Sequence, residues 1–394
     1  MSGEGRRIAR LDEQASALLG VFARAGYDRL DPPVLQPADI FLDRSGEEIR
    51  KETYLLTDPS GRELCLRPEL TIPVCRLHLA RGAGFPARIS CHGPVFRMRS
   101  SDAKDSGQFL QTGIEYLGAD DRAGADGEVL TLAVEAVRAA GLESFSVHVG
   151  DASLFPGLFD VLPVPAAWRG RLKRHFRRPE AFARLIQRLS KGEAPAGTGY
   201  LAHLGSADED EGRNALSGLL DLMAGTGASD VFAGRTREEI IDRLMEQAAE
   251  AASLKLDRKA LSVIEEALAI SGPAEKSLTG LAALLKRHDV ALDAPLAAMA
   301  ARVDVLRRLG LPDEAVQFAP RFGRDLDYYT GFVFEIWGRA ADGALQIAGG
   351  GRYDTLLRTL GAAGDIAAVG CAIRDEALLG VHDFAKGEVS WARR

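Results

Sequence analysis

Gly323-Arg324-Asp325-Leu326-Asp327-Tyr328-Tyr329-Thr330-Gly331 runs directly into Phe332-Val333-Phe334-Glu335-Ile336-Trp337. The second run mixes β-branched, aromatic and polar residues as a half-buried strand does. The first places an arginine, two aspartates and two tyrosines just ahead of that strand. A guanidinium and phenols fixed at a strand edge suit a small polar ligand with a carboxylate to clamp. The competing reading is structural, a surface ion pair with two core tyrosines. The rest of the chain decides between them.

A chain of 394 residues is long enough for two or three domains with cores of their own. Its 46% hydrophobic and 27% charged residues are those of an ordinary soluble protein. No apolar run approaches the ~18 residues that span a bilayer. Met1 to Arg10 is polar and lacks an apolar signal core, so a cytoplasmic protein without a secretory signal is expected. Cys65, Cys75, Cys91 and Cys371 have no C-x-x-C spacing and sit among apolar residues. They read as reduced core thiols, with neither a metal site nor a disulfide framework. The net charge of −7 gives no overall pull toward nucleic acid, although a local basic patch remains compatible with it.

From the N-terminus, Ile8, Leu11, Ala15, Leu18, Leu19 and Phe22 have helical spacing, closed by Gly26. Pro32 and Pro33 then impose an extended, edge-like path. Thr53–Thr57 and Glu63–Arg67, joined by Asp58-Pro59-Ser60-Gly61, predict a β-hairpin. A helix is expected over Ile72–Ala80. His92–Arg99 and Gln108–Leu117 read as an antiparallel pair joined by a polar loop. A helix (Val129–Ala140) and a strand (Ser144–Val149) follow. From about Leu158 to Leu311 helix follows helix, including Ala166–Leu189 and one opened by the capping pattern Thr236-x-x-Glu239. Strands resume at Phe332–Trp337, Ala344–Gly349 and Ala367–Ile373. Ala348–Asp354 reads as a strand-to-helix turn whose glycines permit positive φ and close approach of a ligand; it has neither Walker nor G-x-G-x-x-G spacing. The expected architecture is α+β: residues 1–155 and 313–394 form an antiparallel sheet flanked by helices, interrupted by an all-helical domain at 156–312.

Order then identifies a family. Leu66-Arg67-Pro68-Glu69 is followed by Gly93-Pro94-Val95-Phe96-Arg97 and Gln108-Phe109-Leu110-Gln111-Thr112-Gly113-Ile114-Glu115. Next come Leu326-Asp327-Tyr328-Tyr329-Thr330-Gly331-Phe332-Val333-Phe334-Glu335 and Gly349-Gly350-Gly351-Arg352-Tyr353-Asp354. In order and spacing these segments resemble the catalytic domain of histidyl-tRNA synthetase, a class II synthetase fold, over about residues 10–150 and 315–380. The resemblance implies a histidine pocket. Glu69 and Thr71, with Gln111 beside them, match the positions that receive the α-ammonium group. Arg324 matches the carboxylate-binding position. Glu115 and Tyr329 match the groups that hydrogen-bond the imidazole, and Tyr353 and Tyr328 match the pocket wall. The assignments are chemically coherent, since carboxylate pairs with ammonium, guanidinium with carboxylate, and a carboxylate plus a phenol can satisfy both ring nitrogens. Arg67, Asp327 and Asp354 read as structural.

The same comparison implies a dismantled ATP site. Arg97 matches the arginine for the α-phosphate. Arg99 stands where the family has a glutamate that helps hold adenine. The loop that follows, Ser100 to Gly107, has gained carboxylates where cations are usual, and these repel a triphosphate. The closing Gly-Leu-Glu-Arg is Arg374-Asp375-Glu376-Ala377, so Ala377 replaces the γ-phosphate arginine. An anticodon-binding domain of about a hundred residues is also expected to be missing.

A synthetase-like fold with an amino-acid pocket but no ATP chemistry resembles the regulatory subunits of ATP phosphoribosyltransferase. That resemblance implies a non-catalytic chain with no cofactor, acting at the first step of histidine biosynthesis and transmitting feedback by L-histidine. It implies a hetero-octamer of four such chains with four short-form catalytic subunits, built on a synthetase-like homodimer. Pro33 matches the dimer motif, while Gln36 replaces its glutamate. The alternatives are a divergent histidyl-tRNA synthetase and a paralogue that binds tRNA; membrane association is not expected, and tRNA binding is disfavoured.

Overall fold

The computed structural model describes residues 3–42, 52–98, 107–176, 179–191, 209–224, 231–232, 235–236, 238, 240–242, 244–245, 256–324, 328–341 and 343–387. Arg99, Asp327 and Glu239 of the expected capping box lie outside the described residues. In chain order the elements begin with α1 (Gly3–Arg24), β1 (Asp28–Arg29), β2 (Leu35–Pro37), α2 (Asp39–Leu42), β3 (Leu55–Thr57), β4 (Glu63–Leu66), α3 (Thr71–Ala80), β5 (Ala87–Phe96), β6 (Gln108–Leu117), α4 (Arg122–Ala139) and β7 (Ser146–Asp151). There follow α5 (Leu154–Val161), α6 (Ala166–His175), α7 (Pro179–Lys191), α8 (Glu209–Ala224), β8 (Val231–Phe232), β9 (Arg235–Thr236), α9 (Arg258–Ala269), β10 (Gly272–Pro273), α10 (Ala274–Arg287) and α11 (Asp293–Arg308). The chain closes with β11 (Val316–Phe318), β12 (Phe332–Ala340), β13 (Gly343–Arg352), α12 (Leu356–Thr359), β14 (Ala368–Arg374) and α13 (Asp375–Ala385).

Nine strands make one sheet in the order β1-β5-β6-β14-β13-β12-β7-β11-β10. Its pairings are antiparallel except β1 with β5 and β11 with β7. A smaller sheet, β2-β4-β3, carries the expected hairpin. The fold is α+β. Asp58 fixes the hairpin turn by accepting from the N–H groups of Ser60 (2.8 Å) and Arg62 (3.0 Å).

Side-chain alternation gives the main sheet two different faces. On one, Thr112 of β6 donates to Asp375 (3.0 Å), and Gln14 of α1 donates to the Asp375 carbonyl (2.8 Å). Helices α1, α4 and α13 pack on this side, and α1 buries Leu11, Leu18 and Phe22. On the other face, Phe109, Gln111, Gly113 and Glu115 of β6 lie in one row. Opposite them in register stand Gly370, Ala372 and Arg374 of β14, and Gly349 and Gly351 of β13 come next. Small residues thus floor the middle of that face, and larger polar groups stand around it.

Contacts divide the chain into one unit of residues 1–154, 270–283 and 292–394 and a second of 155–269 and 284–291. The second unit is smaller than the 156–312 segment expected from sequence, because α11 packs on α4 of the sheet unit. Within the second unit, Phe155, Phe159, Phe176 and Phe182 form a ring cluster with centroids 5.4–6.1 Å apart. The single helix expected over Ala166–Leu189 is two helices, since Pro179 opens α7 and cannot continue α6. Helix α4 starts earlier than expected: Asp121 caps it by accepting from Gly124 N (2.9 Å), which compensates two glycines in its first turns.

Charge is buried where α4, α11 and β13 meet. Asp126 is fully buried and accepts from Arg302 (Nε 2.9 Å, Nη2 2.5 Å) and Arg352 (Nε 2.9 Å, Nη2 2.6 Å). Asp126→Ala removes the carboxylate that two buried guanidinium groups share, leaving Arg302 without its hydrogen-bonded partner and Arg352 with Asp354 (2.8 Å) and the Arg122 carbonyl (2.7 Å), and is expected to cost about 3–5 kcal/mol; urea unfolding against wild type measures it. No described helix is long and apolar enough to cross a membrane.

Candidate functional site

Glu115 is the centre of the glycine-floored face. It is 2% exposed and accepts a hydrogen bond from the Tyr353 hydroxyl. Burial pushes its carboxyl up to about 8, opposed by hydrogen bonds from Tyr353 and Thr71 and reinforced by the Glu69 charge. Its position requires Gly370, because a Cβ there would fall on the carboxylate and within 2.6 Å of the Ile114 carbonyl. Gly370→Ala is therefore expected to expel the Glu115 carboxylate from its seat and weaken ligand binding about as much as removing one charge-assisted hydrogen bond, roughly 1.5–3 kcal/mol. Calorimetry on the variant reads this directly.

Glu69 precedes α3 and does two things at once. Its carboxylate accepts from the backbone N–H groups of Thr71 (2.7 Å) and Ile72 (2.8 Å), capping the helix. Burial raises its pKa, opposed by those N–H groups and by the nearby Arg97 cation. Its charge in turn helps to raise the Glu115 carboxyl. Gln111 is 5% exposed, and its Oε1 has no hydrogen-bond partner. This unsatisfied buried acceptor, on the same row as Glu115, is available to a donor.

The opposite wall comes from the stretch before β12. Tyr328 and Tyr329 are 7% and 8% exposed, with ring centroids 4.9 Å apart, and Tyr328 meets Tyr353 edge-on at 5.8 Å. Burial raises all three phenols, so they act as neutral hydrogen-bonding groups. The Arg324 guanidinium lies 5.7 Å from the Tyr329 ring centroid, 3.3 Å from the Phe334 carbonyl and 3.4 Å from Glu335. A Cβ on Gly349 would collide with that guanidinium. The glycines of Gly349-Gly350-Gly351 therefore serve close approach, as expected, but inside β13 and without positive φ, not in a turn. Cys75, Cys91 and Cys371 are buried free thiols that burial, then the Glu115 charge, pushes up.

The structure thus brings Glu69, Thr71, Glu115, Arg324, Tyr328, Tyr329 and Tyr353 together, with Gln111 on the same row. Glu335 was missed from sequence. It accepts from Trp337 Nε1 (3.0 Å) and Gln346 Nε2 (2.8 Å) and sets Arg324 from below. Gly370 was missed as well; a glycine inside the strand pattern Val369-Gly370-Cys371 was its signal. A groove of about 660 Å³ between α4 and α11, lined by Gly124, Gly127, Ala301 and Val305, shares no residue with this cluster.

Beyond Gln111, Phe109 lies between two guanidinium groups, Arg97 at 5.6 Å and Arg374 at 5.2 Å from its ring centroid. Arg97 Nε donates to the Pro68 carbonyl (2.9 Å), and burial lowers its pKa. Ala377 is half-buried in the first turns of α13. Among the described residues no group of histidine, cysteine or carboxylate side chains could hold a metal ion.

The histidyl-tRNA synthetase family profile matches residues 4–217 and 219–378. The ATP phosphoribosyltransferase regulatory subunit of Sinorhizobium fredii is 38% identical over 93% of this chain and 96% of its own length. That of Rhizobium meliloti is 38% identical with the same coverage. Among solved structures, an ATP phosphoribosyltransferase regulatory subunit/histidyl-tRNA synthetase from Bacillus halodurans superposes with a TM-score of 0.63 at 22% identity, over 94% of this chain and 79% of that one. The structural likeness establishes the synthetase-like α+β fold, and the sequence identity goes further: the chain belongs to the family of ATP phosphoribosyltransferase regulatory subunits, within the wider histidyl-tRNA synthetase family.

Proposed function

We propose that this chain is the non-catalytic regulatory subunit of an ATP phosphoribosyltransferase and that its synthetase-like pocket binds L-histidine for feedback control. The observation that carries the histidine assignment is the convergence, on one glycine-floored sheet face, of Glu115 with Tyr353, Arg324 with Glu335, and the unsatisfied Oε1 of Gln111. Glu115 with Tyr329 takes the imidazole, Arg324 takes the carboxylate, and Glu69, Thr71 and Gln111 take the α-ammonium group. Tyr328 and Tyr353 wall the ring. A pocket built to bond an imidazole rejects apolar isosteres, because its buried polar groups would be left unpaired.

Aminoacyl activation is not part of this reading. Ala377 supplies no cation, and Arg374, in place of a glycine, sets its guanidinium against Phe109. The partner is a short-form catalytic chain in the cytoplasm, in an assembly of four regulatory with four catalytic subunits. A homodimer of this chain supports that assembly. Leu35, Leu55 and Leu56 of the small sheet are 53%, 48% and 43% exposed next to Pro33, an apolar surface suited to a second copy. Gln36 is buried there, donating to the Pro33 carbonyl (2.7 Å) and accepting from Arg76 (3.1 Å), so it holds the motif's own backbone.

The test is reconstitution. A purified short-form catalytic chain should gain ATP phosphoribosyltransferase activity when this chain is added, and L-histidine should reduce it. Activity indifferent to the added chain, or to histidine, contradicts the proposal.

A further inference from the structure

Arg302, on α11, is 9% exposed, and its Nη1 has no hydrogen-bond partner. Its Nε and Nη2 are engaged by Asp126, while Nη1 stands 3.9 Å from Asp151 Oδ2, an ion-pair distance beyond hydrogen-bonding reach. A buried guanidinium N–H without an acceptor is unfavourable, and a displacement of under about 1 Å toward Asp151 satisfies it. Asp151 ends β7 and lies opposite Phe332 in register, and the next residue, Ala152, donates to the Gly331 carbonyl (2.8 Å). The Arg302 guanidinium also sits 5.0 Å from the Phe332 ring centroid. Gly331 and Phe332 directly follow Tyr328 and Tyr329. On its other side, Asp126 holds Arg352, whose neighbour Tyr353 bonds Glu115 and whose carbonyl accepts from Thr330 N (2.8 Å). Both pocket segments therefore lead to one side chain on an outer helix.

The geometry points to Arg302 as a two-position switch that carries occupancy of the pocket to α11. In the structure it is hydrogen-bonded to Asp126 alone, with Asp151 at ion-pair distance, and it gains a hydrogen bond to Asp151 once a ligand draws Tyr329 and Gly331 inward. The inference rests on the reading of the pocket as a histidine site and adds the route by which that site is felt elsewhere. A ligand shifts an equilibrium only through contacts that differ between the two arrangements; here the differing contact is Arg302 with Asp151. Helices α4 and α11 also wall the 660 Å³ groove, so a displaced Arg302 alters the surface and not only the interior.

Asp151→Asn is the decisive variant. Arg302 makes no hydrogen bond to Asp151 in the structure, and the asparagine Oδ1 retains the bonds that Asp151 accepts from Ser153 N and Oγ. Arg302→Lys is the second, since an ammonium keeps the charge but loses the planar fork that reaches two carboxylates. Histidine is titrated calorimetrically into each isolated chain, and histidine inhibition is measured on each chain assembled with the catalytic subunit. The expected result is affinity within about 3-fold of wild type together with a rise of at least about 10-fold in the histidine needed for half-inhibition, or loss of the inhibited plateau. An Asp151→Asn inhibition curve that superimposes on wild type overturns the switch, as does a parallel loss of affinity and inhibition. A wild-type chain that binds no histidine is a separate outcome that sinks the pocket reading itself, and the switch with it.

Discussion

Glu115→Ala is expected to remove histidine binding by about 30- to 150-fold, the value of one charge-assisted hydrogen bond at about 2–3 kcal/mol, while leaving the chain folded. The fold survives because Glu115 is not a stabilising charge. Its carboxyl is fully buried and its pKa stands near 8, so below that pH the native chain carries it protonated. The sign of the linkage follows. A carboxyl whose folded pKa exceeds its ordinary 4.5 contributes stability that is complete below pH 4.5 and is lost as pH rises to about 8. Glu115→Gln should flatten that slope and gain stability above pH 8, yet still lose histidine because no carboxylate remains. Thermal unfolding across pH 5–9 checks the first statement and calorimetry the second. Ligand binding has its own pH signature. In the proposed pocket bound histidine would pair imidazolium with the Glu115 carboxylate, so binding is expected to release a proton below the free imidazole pKa of about 6.5 and to take one up above about pH 8. Affinity is therefore greatest between these limits, and titration in buffers of different ionisation enthalpy counts the proton. Retained affinity in Glu115→Ala contradicts the imidazole assignment.

Arg324→Ala should weaken histidine by about 2–4 kcal/mol, roughly 30- to 1,000-fold, because the ligand carboxylate loses its only assigned cation inside a desolvated site. Glu335 is also left behind, but it keeps its bonds from Trp337 and Gln346, so the sheet persists. Histamine separates the carboxylate contribution from everything else. Lacking a carboxylate, it should bind wild type and Arg324→Ala alike. A variant that loses histidine and histamine equally has lost its pocket shape, and the carboxylate then lies elsewhere.

The candidate site residues were named before any coordinates by the family resemblance, and their grouping in the structure is partly local in sequence. Glu69 and Thr71 share one turn, Gln111 and Glu115 one strand face, and Tyr328 and Tyr329 one segment. Strand alternation and the helix start place such pairs without tertiary information. The β6 strand, Gln108–Leu117, was expected from sequence with the same bounds. The boundary of the helical unit did not. Helix α11 has the same periodicity as its predecessors, and its packing on α4, including the Arg302–Asp126 pair 176 residues apart in sequence, assigns it to the sheet unit. The role of Gly349-Gly350-Gly351 was hidden for a related reason. A glycine run reads equally as a turn or as a close approach, and the neighbour that decides, the Arg324 guanidinium, comes from another segment. The helix break before Pro179, by contrast, was available from proline chemistry and was overridden by the apolar periodicity on both sides.

The most direct measurement of the central claim is a pair of calorimetric titrations of the purified chain, one with L-histidine and one with ATP-Mg. The account predicts saturable binding of one histidine per chain, strongest near neutral pH, and no heat of binding from ATP-Mg. Binding of ATP-Mg, or a chain that takes up no histidine either alone or assembled with the catalytic subunit, would contradict it.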